Sequence, residues 1–271
     1  MSSSPSFETL ELRADGPVAI LTLNRPKARN AIDDVMRAEL RIAVDHIAAD
    51  QTIRGLVLTG AGPAFCSGGD IKGMQERLEQ GARAGELGWR RQREFHETLG
   101  KLYNLDKPTI AAVNGAAFGL GLDFALTCDF VYFADTAIVA ANFVRRGLVP
   151  DGGGMFHLPR RIGVSRAKEL IYSGRNVEAA EALAIGLADR VLPADQLLGA
   201  AVALLKAFAE HPATAQAMAK NILNRSFEHN FDEINAMASQ AQAFCYASPD
   251  HQESVRVFLA ERAQAQGKMK P

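Results

Sequence analysis

Cysteine is scarce in this chain of 271 residues, which has three: Cys66, Cys128 and Cys245. An odd and widely spaced set offers neither a disulfide framework nor the ligand spacing of a zinc site. Aromatic residues make up 7% of the chain, which gives no base-stacking platform for a nucleic acid. We therefore expect a protein of a reducing compartment, the cytoplasm in the first place or else an organelle matrix, with no structural metal.

Net charge and long apolar runs are also missing. The formal charge is −1, so nothing global indicates a nucleic-acid partner or an anionic membrane. No stretch of about eighteen apolar residues is present to cross a bilayer. The opening MSSSPSFETLELRADG has no charged region followed by an apolar run, which argues against a secretory signal. Hydrophobic residues make up 48% of the chain and charged residues 23%, which is ordinary for a soluble globular protein.

Short apolar segments alternate with amphipathic ones in the first two thirds of the chain. We predict strands at 18–23, 55–59, 108–113 and 130–133, and helices at 31–49, 86–103 and 119–128. Strands that alternate with helices favour parallel pairing and an α/β core. From about residue 194 the chain is almost entirely helical, with Pro193, Pro212 and Pro249 at positions where helices can begin. The predicted organisation is a core over 1–193 and a helical region over 194–271.

Two glycine-rich segments stand out. GLGLDF, from Gly119 to Phe124, resembles the start of a dinucleotide-binding loop, but Phe124 replaces its third glycine, so that interpretation is weak. The free N–H groups of a helix N-terminus would favour developing negative charge, as an oxyanion hole requires. A plain helix-packing glycine pair is an equally good explanation of these residues alone.

The second segment, AFCSGGDIK, runs from Ala64 to Lys72. Ser67 lies outside a nucleophile elbow and Cys66 has no evident histidine partner, so neither predicts a nucleophile. Gly68 and Gly69 again expose backbone N–H groups after a strand, although an ordinary turn has the same pattern. The six histidines are scattered without metal-ligand spacing, and Arg90, Arg91 and Arg93 are typical of a solvated helix face.

Four stretches resemble the enoyl-CoA hydratase/isomerase (crotonase) family: ILTLNRPKARNAI, GLVLTGAGPAFCSGGDIKGM, LDKPTIAAVNGAAFGLGLDFALTCDF and GLVPDGGGMFHLPRRIG. The later SGRNVEAAEALAIGLADRVLP also fits, and the matches cover most of residues 8–260 in the family's order. The resemblance implies an α/β fold, a spiral of β-β-α turns with a C-terminal helical trimerisation region. It also implies an acyl-CoA thioester substrate, no separate cofactor because coenzyme A is part of that substrate, and a homotrimer or dimer of trimers.

The resemblance also joins the two glycine segments into one site. The backbone N–H groups of Gly69 and Leu120 would hold the thioester carbonyl oxygen and stabilise an enolate. Asp70, Ile71 and Lys72 would line the path of the adenine and pantetheine, and Lys27 and Arg29 would meet the CoA phosphates. The implied substrate- and CoA-binding positions are Lys27, Ala28, Arg29, Ala64, Gly69, Asp70, Ile71, Lys72, Leu120 and Phe143.

The chain departs from the family pattern at its carboxylates. Hydratases of the family use two glutamates, and the matching positions here hold Asp123 and Phe143. Phenylalanine cannot move a proton, which argues against ordinary two-carboxylate addition of water. Asp151 occupies a third position, used by isomerases of the family. We predict an isomerase in which Asp151 is the main acid/base and Asp123 assists it, while Phe143 forms an apolar wall.

Other interpretations stay open. One is an enoyl-CoA hydratase with a rearranged carboxylate pair, and another is a non-catalytic acyl-CoA-binding subunit. A dehalogenase-like hydrolase would use Asp151 as a nucleophile, with His96 at a place similar to that subclass's histidine.

Overall fold

The computed structural model describes residues 5–267, apart from the side chains at positions 74, 77 and 265–267. Its strands are β1 (Leu10–Asp15), β2 (Val18–Leu23), β3 (Gly55–Gly60), β4 (Ala64–Cys66), β5 (Thr109–Val113), β6 (Ala116–Phe118), β7 (Phe130–Ala134), β8 (Ile138–Ala140), β9 (Val177–Glu178) and β10 (Arg190–Leu192). Its helices are α1 (Asp34–Ala49), α2 (Ile71–Leu78), α3 (Ala84–Tyr103), α4 (Leu120–Leu126), α5 (Gly154–Ile162), α6 (Val164–Ser173), α7 (Ala179–Ala184), α8 (Ala194–Ala209), α9 (Ala213–Leu223), α10 (Phe231–Tyr246) and α11 (Pro249–Gly267). None of the helices within 5–267 is both long and apolar enough to cross a membrane.

The larger of two sheets has six strands in the order β1-β2-β3-β5-β7-β10. Its strands pair in parallel except for the antiparallel hairpin of β1 and β2. The central strands are apolar on both faces: every residue of β5 is buried. Such continuous burial is typical of parallel sheets that helices cover on both sides.

The smaller sheet has four short strands in the order β4-β6-β8-β9. β4, β6 and β8 each follow a strand of the larger sheet after a brief turn, so the chain climbs in repeated strand-strand-helix turns. The expected α/β spiral of β-β-α turns is thereby confirmed. The sequence analysis missed the smaller sheet, because strands of two or three residues are too short to show an alternating pattern.

The predicted elements of the larger sheet lie close to their expected bounds. β2 spans the predicted residues, and α1 begins at Asp34, because the Asp33 side chain caps the helix by accepting from the N–H of Met36. α3 begins two residues before its predicted start, and α4 is shorter than predicted. Ala213 and Pro249 begin α9 and α11, in agreement with the proline signals.

The chain divides into two compact units, Met1–Phe208 and Ala209–Pro271. α8 belongs mainly to the first unit, because its apolar face is buried there and Leu205 packs against Gly55 of β3. The division therefore falls one helix later than the predicted boundary at 193/194. The second unit consists of α9, α10 and α11.

The start of α4 lies directly on the end of β4, which places two segments of the candidate site together. A Cβ added to Gly121 would lie 2.2 Å from the carbonyl oxygen of Cys66, a backbone atom that cannot move aside. We expect Gly121→Ala to reduce the free energy of unfolding by roughly 1–3 kcal/mol, the usual cost of overpacking. Urea unfolding followed by circular dichroism measures it.

Gly100→Ala in α3 is the matched control, since a Cβ there meets nothing within 4 Å. Alanine is the better helix former, so this variant should be as stable as the wild type or slightly more stable. Equal stability of the Gly121 and Gly100 variants would contradict the proposed close contact.

Candidate active site

A cavity of about 700 Å³ lies among the segment after β4, the start of α4, residues 142–151, and helices α1 and α3. All of these belong to the first unit. The predicted site positions that line the cavity are Ala28, Gly69, Asp70, Ile71, Lys72, Leu120, Phe143 and Asp151. Segments far apart in sequence therefore meet at one place.

Two residues that line this cavity, Gly69 and Leu120, have backbone N–H groups without an acceptor among the described residues. Leu120 is the first residue of α4, and Gly69 forms a single parallel bridge with Ile32. In this bridge the N–H of Ile32 donates to the carbonyl of Gly68, and the N–H of Asp70 donates to the carbonyl of Ile32. The N–H of Gly69 takes no part in it. Within residues 5–267 neither the Gly69 nor the Leu120 N–H donates to another protein group. Both remain available to an oxygen atom in the cavity.

Glycine backbones let the two donor segments approach each other. Gly68 has φ +101°, and a Cβ there would lie 2.7 Å from the carbonyl oxygen of Phe118 and 3.6 Å from the nitrogen of Leu120. Gly119, with φ +51°, turns the chain from β6 into α4. Side chains at these positions would force the donors apart.

Arg25 fixes the segment that follows Gly69. Its guanidinium donates to the carbonyl oxygen of Ala31 and lies 3.0 Å from carboxylate oxygens of both Asp33 and Asp70. The second oxygen of Asp70 accepts from the N–H of Lys72 at 2.9 Å. Burial alone would raise the pKa of Asp70, but the hydrogen bonds and the charge of Arg25 outweigh it, so this pKa is lowered. Asp70 is thus an anchored anion rather than a proton carrier.

Asp151 lies in the turn before α5 and lines the cavity with Leu120 and Phe143. Its own N–H donates to the carbonyl of Val149 at 2.8 Å, which fixes the backbone of the turn. The Phe143 ring packs against the core and lies beside Gly119, 3.7 Å from where a Cβ would stand. Asp151 therefore lines the same cavity as the apolar ring of Phe143 and the start of α4.

Asp123 is fully buried in α4 and is absent from the lining of the cavity. Its Oδ2 accepts from the N–H of Gly152 at 3.1 Å, and Oδ1 has no hydrogen-bond partner among the described residues. Gly154 is packed so closely that a Cβ there would lie 2.2 Å from Oδ1. Burial raises the pKa of Asp123 to about 8 and the charge of Asp151 adds to the increase, whereas the hydrogen bond from Gly152 and the nearby N–H of Gly154, which makes no hydrogen bond with Oδ1, oppose it. Asp123 therefore carries a proton at neutral pH.

Some predicted positions lie outside the cavity lining. Lys27 and Arg29 are exposed on the turn after β2, and Ala64 is buried in β4. His96 is exposed on α3, and the structure does not bring it to the cavity. Within the described residues no cluster of histidine, cysteine and carboxylate side chains is arranged to hold a metal ion.

The nucleophile candidates are poorly placed for chemistry. Cys66 is buried, and this burial raises the pKa of its thiol to about 12, which keeps it protonated. Ser67 lines the cavity, and its hydroxyl donates to the carbonyl of Ala28 at 3.4 Å. In these contacts neither Cys66 nor Ser67 has a base beside it that could take its proton.

Sequence reasoning missed several residues of the cavity, among them Arg37, Arg91 and Gln92. Arg37 precedes Leu40 and Val44 by three and seven residues, so the helical period places it on the apolar face of α1. A charged residue on the apolar face of a predicted helix is a signal that could have identified Arg37 from the sequence. Arg91 was assigned to a solvated face, yet its side chain is 20% exposed and borders the cavity.

The chain is similar to known proteins of one family. The profile of the Enoyl-CoA hydratase/isomerase family matches residues 13–268. A Mycobacterium tuberculosis protein named "Probable enoyl-CoA hydratase" is 36% identical over 258 residues, 95% of this chain and 97% of the relative. The short-chain-enoyl-CoA hydratase of Clostridium acetobutylicum is 32% identical, with 93% and 94% of the two chains covered. The crystal structure of an enoyl-CoA hydratase/isomerase from Cupriavidus metallidurans CH34 superposes with a TM-score of 0.88 at 29% identity, covering 95% and 96%.

The buried Asp123 carboxyl should make stability depend on pH. Its pKa is about 8 in the folded chain against an ordinary 3.8, so the folded state binds this proton more tightly than the unfolded state. The resulting stabilisation is complete at pH values below the ordinary pKa of 3.8. It is lost as the pH rises toward the pKa of about 8 that the carboxyl has in the folded chain. Relative to Asp123→Asn, the wild type should lose up to roughly 1.4 kcal/mol per pH unit between about pH 5 and about pH 8. Urea unfolding at several pH values measures the difference.

Asp135→Asn is the control, since Asp135 is an exposed carboxylate of the same unit. Its free energy of unfolding should change with pH in the same way as that of the wild type. If the free energy of unfolding of Asp123→Asn also changed with pH as that of the wild type does, Asp123 would not carry the proton.

Proposed function

The chain belongs to the enoyl-CoA hydratase/isomerase family, and on that premise we propose that it moves the double bond of an enoyl-CoA thioester by proton transfer through Asp151. The observation that supports this assignment is the position of the carboxylates. Asp151 lines the cavity beside Leu120, whereas Asp123 is fully buried and Phe143 replaces a second carboxylate.

The thioester carbonyl oxygen lies between the N–H groups of Gly69 and Leu120 in this proposal. Removal of a proton from the acyl carbon chain gives an enolate, whose negative charge develops on that oxygen. Two N–H donors that are already oriented stabilise this charge without having to reorganise. Their freedom from protein acceptors supports the assignment.

Asp151 takes the proton and returns it at another carbon of the chain. The electron pair of the broken C–H bond enters the enolate, the double bond shifts, and the carboxyl becomes a carboxylate again when it gives the proton back. No water is consumed, so one carboxylate completes the cycle. The apolar ring of Phe143 keeps bulk water from the intermediate.

Asp123 is a positioning residue in this proposal. Its protonated carboxyl is held by the N–H of Gly152, directly after Asp151, and it adds no second negative charge to the site. Two ionised carboxylates so close together would repel each other and would oppose the enolate charge.

A hydratase is the second candidate, and the names of the relatives favour it. Water addition requires activation of a water molecule and delivery of a proton to the carbon next to the thioester. Asp151 would have to carry out both steps or share them with Asp123. The location of Asp123 outside the cavity lining makes this division less favourable than isomerisation.

The remaining interpretations have less support. His96 is exposed and does not line the cavity, which gives no support to its activating water against an ester of Asp151. A non-catalytic acyl-CoA-binding subunit would show no turnover with any enoyl-CoA thioester.

Asp151→Asn tests the assignment. The change keeps the shape of the side chain and removes the base, so kcat for isomerisation of a 3-enoyl-CoA should fall by about 10²–10⁴-fold with KM little changed. Ultraviolet absorption of the conjugated thioester follows the rate. Product formed in D₂O should carry exchanged deuterium, and mass spectrometry detects it.

The matched control is Asp135→Asn, an exposed aspartate outside the cavity, which should keep the wild-type rate. A hydroxylated product in place of a shifted double bond would establish the hydratase. An Asp151→Asn variant with the wild-type kcat would exclude Asp151 as the base.

We also propose that copies of this chain cover the second unit, as a homotrimer or a dimer of trimers. Large apolar side chains are uncovered on α10 and α11: Phe231, Phe244 and Phe258 are 79%, 60% and 60% exposed. Ile222 on α9 is partly buried. Exposed aromatic side chains at this density are typical of interfaces between subunits.

Light scattering coupled to size-exclusion chromatography should give three or six times the mass of one chain. Phe231→Arg together with Phe244→Arg should lower that mass, because two charges would be buried in the interface. Trp89→Arg, at a 61% exposed tryptophan of the first unit, is the control and should leave the mass unchanged. A stable wild-type monomer at micromolar concentration would contradict the assembly.

A further inference from the structure

The N–H of Gly69 takes its direction from the bridge with Ile32. The N–H of Ile32 donates to the carbonyl of Gly68 at 2.8 Å, and the N–H of Asp70 donates to the carbonyl of Ile32 at 3.2 Å. The carbonyl of Gly68 and the N–H of Gly69 belong to one trans peptide group and point in opposite directions. The hydrogen bond on the Gly68 carbonyl therefore turns the N–H of Gly69 away from Ile32.

Arg25 contacts the chain on both sides of this bridge. Its Nη1 donates to the carbonyl of Ala31, the residue before Ile32. Its Nη2 lies 3.0 Å from Oδ2 of Asp33, the residue after Ile32. On the other segment of the bridge, Nη1 also donates to Oδ2 of Asp70 at 3.0 Å. One guanidinium thus joins the two segments whose hydrogen bonds orient the donor.

The turn that carries Arg25 is fixed by a buried asparagine. Asn30 is fully buried, and its Oδ1 accepts from the N–H of Arg25 at 2.9 Å. Its Nδ2 donates to the carbonyls of Ala61 and Ala64 at 2.9 and 2.8 Å. Arg29 and Asn30 both have left-handed backbones, with φ +51° and +56°. Consecutive non-glycine residues in this region persist only where surrounding contacts hold them. The backbone from which Arg25 reaches the bridge is therefore held firmly.

Arg25 lies outside the cavity lining, to which Gly69 and Asp70 contribute. The side chains of Arg25 and Asp70 are 23% and 12% exposed, so water screens this ion pair less than it screens a surface pair. A planar guanidinium offers its donors in a rigid fork, which suits three acceptors at fixed positions better than a lysine ammonium does. Arg25 is thus placed to act on a bound thioester through the bridge, without touching it.

We propose that Arg25 is a positioning residue of the site: through Ala31 and Asp70 it holds the bridge in register and so keeps the Gly69 N–H directed at the thioester carbonyl oxygen. The proposal rests on the donor role of Gly69 in the proposed function. The hydrogen bond on the Gly68 carbonyl also polarises this peptide group, which makes its N–H a stronger donor.

Infrared difference spectroscopy on the full chain measures how strongly the donors polarise a thioester. The ligand is hexanoyl-CoA with an isotope label at the thioester carbonyl, which has no double bond to react. Bound to the wild type, its C=O band should lie at a lower frequency than in water, because preoriented donors polarise the carbonyl. Arg25→Met should move the band back toward the frequency in water. A folded Arg25→Met variant with the wild-type band overturns the proposal.

The rate should follow the band. The kcat of Arg25→Met on a 3-enoyl-CoA should fall about 10- to 100-fold with KM little changed, since displacing an aligned group by about 1 Å can cost about 10²-fold. Arg25→Lys keeps the charge and loses the fork, so its band should lie between those of the wild type and Arg25→Met.

Asp70→Asn tests the path through the bridge. Asparagine keeps an oxygen for the N–H of Lys72 and loses the charge that pairs with Arg25. The band should move in the same direction as in Arg25→Met, and this variant carries the test should Arg25→Met fail to fold. In the double variant the shift should be much smaller than the sum of the two single shifts, because both changes break one contact. Additive shifts would contradict a shared path.

Asp33→Asn is the matched control. It removes the other carboxylate bound to Arg25, and asparagine keeps an oxygen that caps α1. Arg25 retains Ala31 and Asp70, so the C=O band and kcat should equal those of the wild type, even where the melting temperature falls. An equal band shift in Asp33→Asn and Asp70→Asn would mean that a general loss of stability moves the band, and would overturn the role of Arg25.

Failure of this role and failure of the proposed function give different results, because the hexanoyl-CoA band does not depend on isomerisation. A band that Arg25→Met shifts, with no isomerisation of a 3-enoyl-CoA, upholds the role of Arg25 and removes the isomerase assignment. Isomerisation by a wild type whose band equals that of Arg25→Met does the reverse. Loss of affinity for free CoA with an unchanged band would mean that Arg25 shapes the path of the coenzyme, and counts against the proposal.

Discussion

The approach of two glycine-containing backbones is the contact on which the candidate site depends. Gly121 of α4 lies against the Cys66 carbonyl, and Gly68 lies against the Phe118 carbonyl. β4 and β6 end at these segments and pair in parallel, so the sheet itself aligns them. The N–H groups of Gly69 and Leu120 are consequently fixed by backbone packing, with no flexible side chain involved. Donors fixed in this way can stabilise a developing charge without reorganisation.

Burial separates the roles of the two aspartates beside these donors. Gly152 and Gly154 enclose the Asp123 carboxyl so closely that no side chain fits between them. Burial raises its pKa to about 8, and the charge of neighbouring Asp151 adds to the increase. The protonated Asp123 thus adds no negative charge at neutral pH, and Asp151 is the member of the pair that lines the cavity. One carboxylate that exchanges a proton with a carbon suits isomerisation better than it suits water addition.

The sequence predicted four of the six strands of the larger sheet, because apolar runs such as those of β2, β3 and β5 end in clear turn residues, and it missed the edge strands β1 and β10. It did not reveal the smaller sheet, whose strands are set by pairing with distant segments rather than by local pattern. For the candidate site, the two glycine-rich segments predicted exposed backbone N–H groups. The family resemblance predicted that these two segments form one site. The helical period places Arg37 on the apolar face of α1, but its contacts with Phe95 and Gln92 depend on packing between α1 and α3, which no local pattern reports. The full burial of Asp123 likewise follows from a turn almost thirty residues away in the chain.

The charges of the cavity act on different steps of the proposed reaction. When Asp151 takes a proton, its negative charge disappears and an equal charge develops on the thioester oxygen between Gly69 and Leu120. The total charge of the site is therefore the same before and after proton transfer. The cationic side chains that line the cavity, such as Arg91, meet the same total charge in both states, so they contribute uniform binding rather than a lower barrier. Their effect should appear in KM, whereas the backbone donors and Asp151 determine kcat.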